Sequence, residues 1–105
     1  AVRVPERFRG SGNDPFWSIE ITPYYCRMSS VVKGFESFNV EGNRPVVGAD
    51  GKTISYHLVS GTNEMVIDLE KGGCKDSDFG YLIKVQARKS SSKPFTVFNG
   101  CADGE

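Results

Sequence analysis

The clearest pattern in the sequence is an alternation of apolar and polar residues with a period of two. Successive side chains of a β-strand point to opposite faces, so this alternation indicates strands that each bury one face. In the stretch 16–21, Trp17, Ile19 and Ile21 share one face, which we expect to meet a core. Similar alternation recurs at 54–59, 65–70, 81–86 and 95–100.

Turn-forming residues separate these stretches. Asp50-Gly51 is a strong hairpin signal, and Ser60-Gly61-Thr62-Asn63 is a second predicted turn. Gly72-Gly73 and the polar segment 89–94 mark further breaks. Strands that recur at intervals of about ten residues with such turns predict an all-β fold, a small antiparallel barrel or a strongly curved sheet.

The segment from Tyr25 to Phe38 carries the most ambiguous pattern. Its apolar residues are compatible with a short helix, but Gly34 and the serines favour strand and loop. The whole chain of 105 residues is predicted to form one β domain, 1–105. Its ends, 1–6 and 102–105, are expected to be flexible.

Composition limits the range of functions. Hydrophobic residues make up 38% of the chain and charged residues 25%, as in an ordinary globular domain. The formal net charge of zero argues against a general nucleic-acid binder, although a local basic patch stays open. The chain has no apolar run near the ~20 residues of a membrane span. It begins at Ala1 without Met, as a trimmed or mature form would, so the lack of a signal peptide does not argue against export.

The three cysteines, Cys26, Cys74 and Cys101, restrict the candidate chemistry. There is no Cys-x-x-Cys pair and only one histidine, His57, so a zinc site is not expected. One disulfide and one leftover thiol is the simplest interpretation, with three free thiols as the alternative. For Cys26, beside Arg27, we favour a small side chain buried in a strand. The alternatives are a bond to another molecule and a reactive thiol that pairs with His57.

The least random stretch of the sequence runs from Gly10 to Ile21 and predicts a turn that leads into a strand. Glycine permits positive φ, an Asn side chain can bond the nearby backbone, and proline fixes φ before the strand begins. Trp17, the only tryptophan, would then bury a large area. The residues that define this motif are Gly12, Asn13, Pro15, Phe16 and Trp17.

This stretch resembles the Gly-Asn-Glu-Pro-Phe-Trp-Ser signature of an uncharacterised family of bacterial envelope proteins. Many members are predicted lipoproteins, and relatives are often associated with lysozyme-inhibitor-like domains. The resemblance continues at Cys74-Lys75-Asp76 and at Gly100-Cys101-Ala102, which match a Cys-x-Asp segment and a closing Gly-Cys-Ala. The chain departs from the family at Asp14, where Glu is commoner, and at Ser77-Asp78-Phe79, where a Met-Ser element and an aromatic residue are usual.

The family resemblance, together with the strand that Cys74 and Cys101 flank, implies that these two cysteines are bonded and that Cys26 is not. A bond closing a loop of this length contributes ~3.5 kcal/mol on the chain-entropy model. The resemblance also implies a periplasmic, outer-membrane-anchored or secreted protein. Any contact with a membrane would be made through a lipid anchor outside this chain.

No catalytic, cofactor or metal site is expected from the sequence. It holds no Gly-rich phosphate loop, no metal-ligand spacing and no nucleophile with an evident base. Asp76-Ser77-Asp78 with Asp50 or Asp68 offers oxygen ligands for Ca²⁺, but a loose acidic turn is favoured. Asp14 and Glu20 are similarly interpreted as solvated carboxylates and not as a glycosidase pair.

We therefore expect a non-catalytic binding or interaction domain of the cell envelope, with inhibition of a lysozyme-like enzyme as a special case. The partner is expected to be a protein or a cell-wall component, and not a nucleic acid. The alternatives are a carrier that holds a small ligand inside the barrel and, less favoured, an enzyme. Loops on a rigid scaffold commonly carry recognition, and the candidate contact residues are Asp76, Ser77, Asp78 and Lys93.

Overall fold

A computed structural model describes residues 4–13, 16–42, 44–72, 74 and 80–104 of the protein. These residues form β-strands and loops without a helix, so the all-β prediction is confirmed. The strands are β1 (Phe8–Gly12), β2 (Trp17–Ile21), β3 (Tyr25–Ser30), β4 (Phe38–Glu41), β5 (Pro45–Val47), β6 (Thr53–Ser60), β7 (Asn63–Lys71), β8 (Tyr81–Arg88) and β9 (Thr96–Gly104).

All of these strands belong to one antiparallel sheet with the order β4-β3-β2-β1-β9-β8-β7-β6-β5. The sheet curls into a half-barrel until its edge strand β4 lies near β6 and β7. On that side the Asn63 amide donates a hydrogen bond to the Asn39 carbonyl at 3.4 Å. The predicted strong curvature is therefore present.

The predicted inward faces are buried. Trp17, Ile19 and Ile21 all point into the core, and the side chain of Trp17 is 1% exposed. Aromatic rings meet inside the sheet, with Trp17 against Phe98 and Phe8 against Tyr56. The alternating stretches on β6, β7 and β8 bury Ile54, Tyr56, Leu58, Met65, Ile67, Leu69, Ile83 and Val85.

The ambiguous segment forms strand and loop, as the glycine and serines favour. Between β3 and β4, the loop 31–37 folds over one end of the curled sheet. The Ser30 hydroxyl donates to the Phe35 carbonyl at 2.8 Å and accepts the Val32 N–H at 3.1 Å. The Phe35 ring then packs 5.3 Å from Phe38 and 5.8 Å from Phe98, centroid to centroid. The loop is thus fixed to the core.

The cysteines are arranged as the resemblance implies. Cys74 and Cys101 form a disulfide, with their Cα atoms 5.9 Å apart across a sequence separation of 27 residues. The bond ties β9 to the segment that follows β7. Cys26 is a free, buried thiol on β3.

The last strand extends into the segment 102–105, which is expected from the sequence to be flexible. β9 runs to Gly104, and its residues pair with β1. Ala102 is buried opposite Gly10, where a Cβ on that glycine would lie 3.1 Å from the Ala102 Cβ. Small residues allow this close approach of the two strands. The tail therefore forms a strand although its sequence is polar and lacks an apolar alternation. At the other terminus, Val4 packs against the core.

Candidate functional site

The Gly-Asn-x-Pro-Phe-Trp motif has a structural role in the described residues. The Trp17 indole N–H donates to the Asn99 carbonyl at 3.0 Å and so ties the β1–β2 hairpin to β9. A Cβ on Gly12 would clash with that carbonyl and with the indole nitrogen, which explains the glycine. Phe16 is 55% exposed beside this anchor, and Asn13 is also exposed. Pro15 and Asp14 lie outside the described residues.

Of the predicted contact residues, Lys93 is exposed in the loop 89–95 that joins β8 to β9. Asp76, Ser77 and Asp78 lie outside the described residues. Glu64 on β7 pairs with Arg88 beside the Lys93 loop, whereas Lys71 pairs with Tyr81 at the opposite end of the same two strands. The described ends of the β7–β8 connection therefore lie far from Lys93.

Two loops at one end of the sheet form a cleft that sequence reasoning does not find. Lys33 comes from the loop 31–37, and Lys89 and Lys93 come from the loop 89–95. We call this site the basic cleft. It has a volume of about 380 Å³, and its walls are completed by Gly34, Phe35, Arg88, Pro94 and Thr96.

Arg88 fixes one loop of the basic cleft. Its guanidinium bonds the Glu64 carboxylate through Nη2 at 2.6 Å and through Nε at 2.7 Å. It lies 4.1 Å from the Phe95 ring centroid and donates to the carbonyls of Ser91 and Lys93. The charge of Arg88 is thus largely balanced by Glu64, and its role is to position the loop.

Hydrogen bonds also set the ionisation of Glu64. The pKa of its carboxyl is held below its usual value, first by the hydrogen bond with His57 and then by the one with Arg88. His57 Nε2 lies 2.5 Å from Glu64 Oε2 on the outer face of the sheet. A carboxylate that stays ionised keeps Arg88, and with it the loop, in place.

The three lysines of the basic cleft keep their positive charge available. Within the part of the chain that the structure describes, none of them forms a salt bridge. Glu36 lies on the same loop as Lys33, and its carboxylate accepts the Gly34 N–H at 2.8 Å. Backbone hydrogen bonds lower the pKa of Glu36, and the charge of Lys89 lowers it further. The cleft therefore presents a surplus of positive charge in a chain whose net charge is zero.

A second depression lies on the outer face of the sheet, where β3, β4 and the end of β6 meet. Its volume is about 840 Å³, and it is lined by Tyr24, Tyr25, Arg27, Asn39, Val40, Glu41, Gly42, Val59 and Ser60. We call it the tyrosine trough. Arg27 and Glu41 give it one charge of each sign, so it differs from the basic cleft in being balanced.

The chemical alternatives raised by the sequence do not converge on a site. Cys26 is buried on the inner face, and His57 is exposed on the outer face. Burial raises the pKa of the Cys26 thiol to about 12, so the thiol stays protonated at neutral pH. Tyr56 is also buried, and its hydroxyl has no hydrogen-bond partner among the described residues. Neither group is arranged as a nucleophile with a base.

Asp50, Asp68 and Glu20, the described carboxylates among the candidates raised by the sequence, are engaged by neighbours. Asp50 accepts the Lys52 N–H, and Asp68 accepts the Ser55 hydroxyl, each at 2.9 Å. Glu20 accepts the Tyr25 hydroxyl at 3.0 Å, and Arg9 lies 3.6 Å from its other oxygen. No group of three or more His, Cys, Asp or Glu side chains that could hold a metal ion occurs within the described ranges.

No helix among the described residues is long and apolar enough to cross a membrane. A comparison of the chain with protein-family models, with curated proteins and with solved structures finds no match. The resemblance to the envelope family therefore stays a prediction.

Proposed function

We propose that this protein is a non-catalytic binding domain of the bacterial cell envelope that holds an anionic group of its partner in the basic cleft. The observation that carries the proposal is the convergence of Lys33, Lys89 and Lys93 from two loops at one end of a rigid sheet. Like charges that are brought together without a salt-bridge partner among the described residues favour a ligand of opposite charge.

Both loops of the basic cleft are fixed before any partner arrives. Phe35 and Ser30 hold the first loop to the core, and Arg88 holds the second. A site on pre-ordered loops loses little conformational entropy on binding. More of the free energy of its contacts therefore contributes to affinity. The three ammonium groups suit a carboxylate or a phosphate, because each can donate charge-assisted hydrogen bonds to such oxygens.

The disulfide and the family resemblance support the compartment. Disulfides persist mainly outside the reducing cytosol, and this domain joins Cys74 to Cys101. We propose a periplasmic, outer-membrane-anchored or secreted protein whose partner is an envelope protein or a cell-wall component. Both kinds of partner carry carboxylates or phosphates.

Inhibition of a lysozyme-like enzyme is a special case of the same proposal. Glycosidase active sites hold two carboxylates, which a lysine can approach. Lys93, on an exposed loop, is the sequence-predicted contact residue that lines the cleft and could make this approach. A small-ligand carrier is the alternative, and it gains less support because Trp17, Tyr56 and Phe98 fill the described interior.

The test is capture of partners from an envelope extract by the folded domain. We compare the wild type with a variant that carries Lys33→Gln, Lys89→Gln and Lys93→Gln. The control carries Lys52→Gln, Lys71→Gln and Lys84→Gln, which remove the same charge from exposed positions elsewhere in the domain. Thermal stability should change little in either variant, because exposed charges contribute little to it.

The proposal predicts that a specific partner is lost by the cleft variant and kept by the control. A partner that the cleft variant retains at full strength would contradict it. The special case has its own readout, the rate at which a purified lysozyme clears a peptidoglycan suspension. If the wild-type domain leaves that rate unchanged while the captured partner still depends on the three lysines, only the special case fails.

A further inference from the structure

The tyrosine trough is built around an aromatic side chain that the fold holds out in solvent. Tyr24 is 79% exposed, the most exposed of the large hydrophobic side chains in the described part of the chain. Its backbone is nevertheless fixed on both sides, since its N–H donates to the Thr22 hydroxyl at 3.2 Å and its carbonyl accepts the Gly42 N–H at 2.9 Å. An exposed ring on a fixed turn is ready for contact with a ligand.

The turn that carries Tyr24 is itself anchored in the core. Thr22 is buried, and its hydroxyl accepts the N–H groups of both Tyr24 and Tyr25. The Thr22 N–H donates to the Tyr25 carbonyl at 2.9 Å, which closes the turn. The two neighbouring tyrosines are therefore presented in a defined geometry and do not belong to a free loop.

Beside Tyr24, four side chains form a square patch on the outer face of β3 and β4. Tyr25 lies opposite Glu41, and Arg27 lies opposite Asn39. The Gly42–Tyr24 bond sets the register so that both are non-hydrogen-bonded pairs, the kind in which side chains approach most closely. The patch therefore combines a ring, a cation, an amide and a carboxylate on one face of two paired strands.

Much of the hydrogen-bonding capacity of this patch is free. Within the described ranges, no hydrogen bond or ion pair is made by the Arg27 guanidinium, the Asn39 amide or the Glu41 carboxylate. Arg27 rests 4.7 Å from the centroid of the Tyr25 ring, whose hydroxyl is held by Glu20 at 3.0 Å. The patch thus offers Arg27 as a hydrogen-bond donor, Glu41 as an acceptor and Asn39 as both.

The trough fits a saccharide better than an ion or a peptide. Arg27 and Glu41 cancel in charge, so it lacks the surplus that attracts anions to the basic cleft. A sugar ring has an apolar C–H face that stacks on an aromatic ring, and its rim of hydroxyl groups donates and accepts hydrogen bonds at once. Peptides are commonly bound through apolar pockets that hold their side chains. In the trough, the apolar side chains at the surface are Tyr24, Tyr25 and Val59, so a peptide would gain few such contacts.

We propose that the tyrosine trough binds a short, uncharged glycan, which stacks on Tyr24 and donates and accepts hydrogen bonds with Arg27, Asn39 and Glu41. The volume of about 840 Å³ lies within the range of small-molecule sites. This site is separate from the basic cleft, so it can fail without affecting the function proposed above.

The experiment is a titration of the isotope-labelled protein, followed by the NMR signals of its backbone amides. The neutral probes are the trisaccharide of N-acetylglucosamine and maltotriose. Trigalacturonate serves as a charged saccharide, and an uncharged alternating Thr-Val hexapeptide serves as a strand-forming competitor. We expect at least one neutral saccharide to shift Tyr24, Arg27, Asn39, Glu41 and Val59 while the three cleft lysines stay unchanged.

Variants show whether stacking carries the binding. Tyr24→Ala should weaken the saccharide affinity by about twofold to tenfold, the size of one aromatic contact. Tyr24→Phe keeps the ring and should bind within about twofold of wild type by the same reasoning. Phe16→Ala removes another exposed aromatic ring and should have no effect. Circular dichroism confirms that each variant is folded.

Several results would overturn the glycan site. The first is that neither neutral saccharide shifts these signals at millimolar concentration. The second is that Tyr24→Ala binds as tightly as wild type. The third is that trigalacturonate or the hexapeptide occupies the trough more tightly than both neutral probes. None of these results bears on the lysine variants, so a failure here and a failure of the basic cleft are distinguishable.

Discussion

The basic cleft and the tyrosine trough lie on the same curled sheet but are built differently. The cleft is formed by two loops, and its three lysines give it a surplus of positive charge. The trough is formed mainly by paired strands and a short turn, and its charges cancel. One site therefore suits recognition by charge, and the other suits recognition by stacking and neutral hydrogen bonds. We propose that this small scaffold separates two modes of recognition by placing one on loops and the other on a strand face.

The largest expected effect comes from disrupting the hydrophobic core of the sheet that carries both sites. Trp17→Ala should reduce the free energy of unfolding by about 3–5 kcal/mol, because it empties a large volume in the core and leaves the Asn99 carbonyl without its donor. Urea unfolding measures this loss if the variant still folds. If the variant cannot be obtained as a folded domain, the loss equals or exceeds the stability of the wild type.

The control for the core substitution is Phe16→Ala, which changes an exposed ring in the adjacent position. Its effect on unfolding should stay within about 0.5 kcal/mol. If Trp17→Ala and Phe16→Ala were equally mild, or if the wild-type tryptophan fluoresced like indole in water, the packing described here would be wrong.

The next largest effect concerns the disulfide. Replacing both Cys74 and Cys101 by Ser should lower the free energy of unfolding by ~3.5 kcal/mol, because the unfolded chain loses a constraint on a loop of 27 residues. Binding at either site by the molecules that remain folded should be unchanged, since neither cysteine lines the cleft or the trough.

A matched variant for the disulfide is Cys26→Ala, which removes the buried free thiol and keeps the bond. It should cost about 1 kcal/mol, the typical value for a single substitution. An equal loss from both changes would mean that the disulfide contributes little. Non-reducing peptide mapping that linked Cys26 to either of the other cysteines would contradict the pairing itself.

A smaller effect is expected from salt, which should change the binding affinity of the basic cleft but not that of the tyrosine trough. Raising the ionic strength from low to physiological values shortens the Debye length to about 8 Å and should weaken binding of an acidic peptide at the basic cleft several-fold. Saccharide binding at the trough should hardly change, because stacking does not depend on charge. Titrations at two salt concentrations test this, and equal salt dependence at both sites would remove the distinction between them.

The smallest expected effect is a pH dependence of stability. The pKa of Glu64 is lower in the folded protein than its ordinary value of 4.5. Its contribution is therefore fully present above pH 4.5, the unfolded value, and is lost as the pH falls through the lower folded value. Glu64→Gln should flatten this part of the curve, and the loop that Arg88 holds should loosen in acid before the trough does.

Unfolding midpoints measured from neutral to acidic pH, for wild type and Glu64→Gln, test this dependence. Asp68→Asn is the control, because it alters another carboxylate that bonds across the sheet. Identical pH curves for wild type and Glu64→Gln would show that Glu64 does not stabilise the fold through its charge.

The sequence predicts the fold better than the sites because strand periodicity is local. The alternation around Trp17, Ile19 and Ile21 identifies the inward face correctly, and the Gly-Cys-Ala resemblance implies the Cys74–Cys101 bond that the structure contains. The strand at 95–100 is predicted, but its continuation to Gly104 is not, because Ala102 is small and its neighbours are polar, so burial against β1 leaves no apolar pattern.

The basic cleft is missed for a different reason. Lys33 lies on one loop and Lys89 on another, and only the curl of the sheet brings them together. A net charge of zero hides such a local surplus. Lys93 is anticipated as a loop charge, yet its neighbours in space are not. The trough is also not predicted from the sequence, because the register that places Arg27 opposite Asn39 cannot be inferred from either strand alone.

Whether the three lysines of the basic cleft hold an anionic group can be read from an NMR titration with hexaglutamate. We expect the amide signals of Lys33, Gly34, Lys89, Lys93 and Thr96 to shift, while those of the tyrosine trough do not. The variant with all three lysines changed to Gln should lose these shifts, and the variant changed at Lys52, Lys71 and Lys84 should keep them. Shifts centred anywhere else, or shifts at the cleft that survive removal of its three lysines, would contradict the claim.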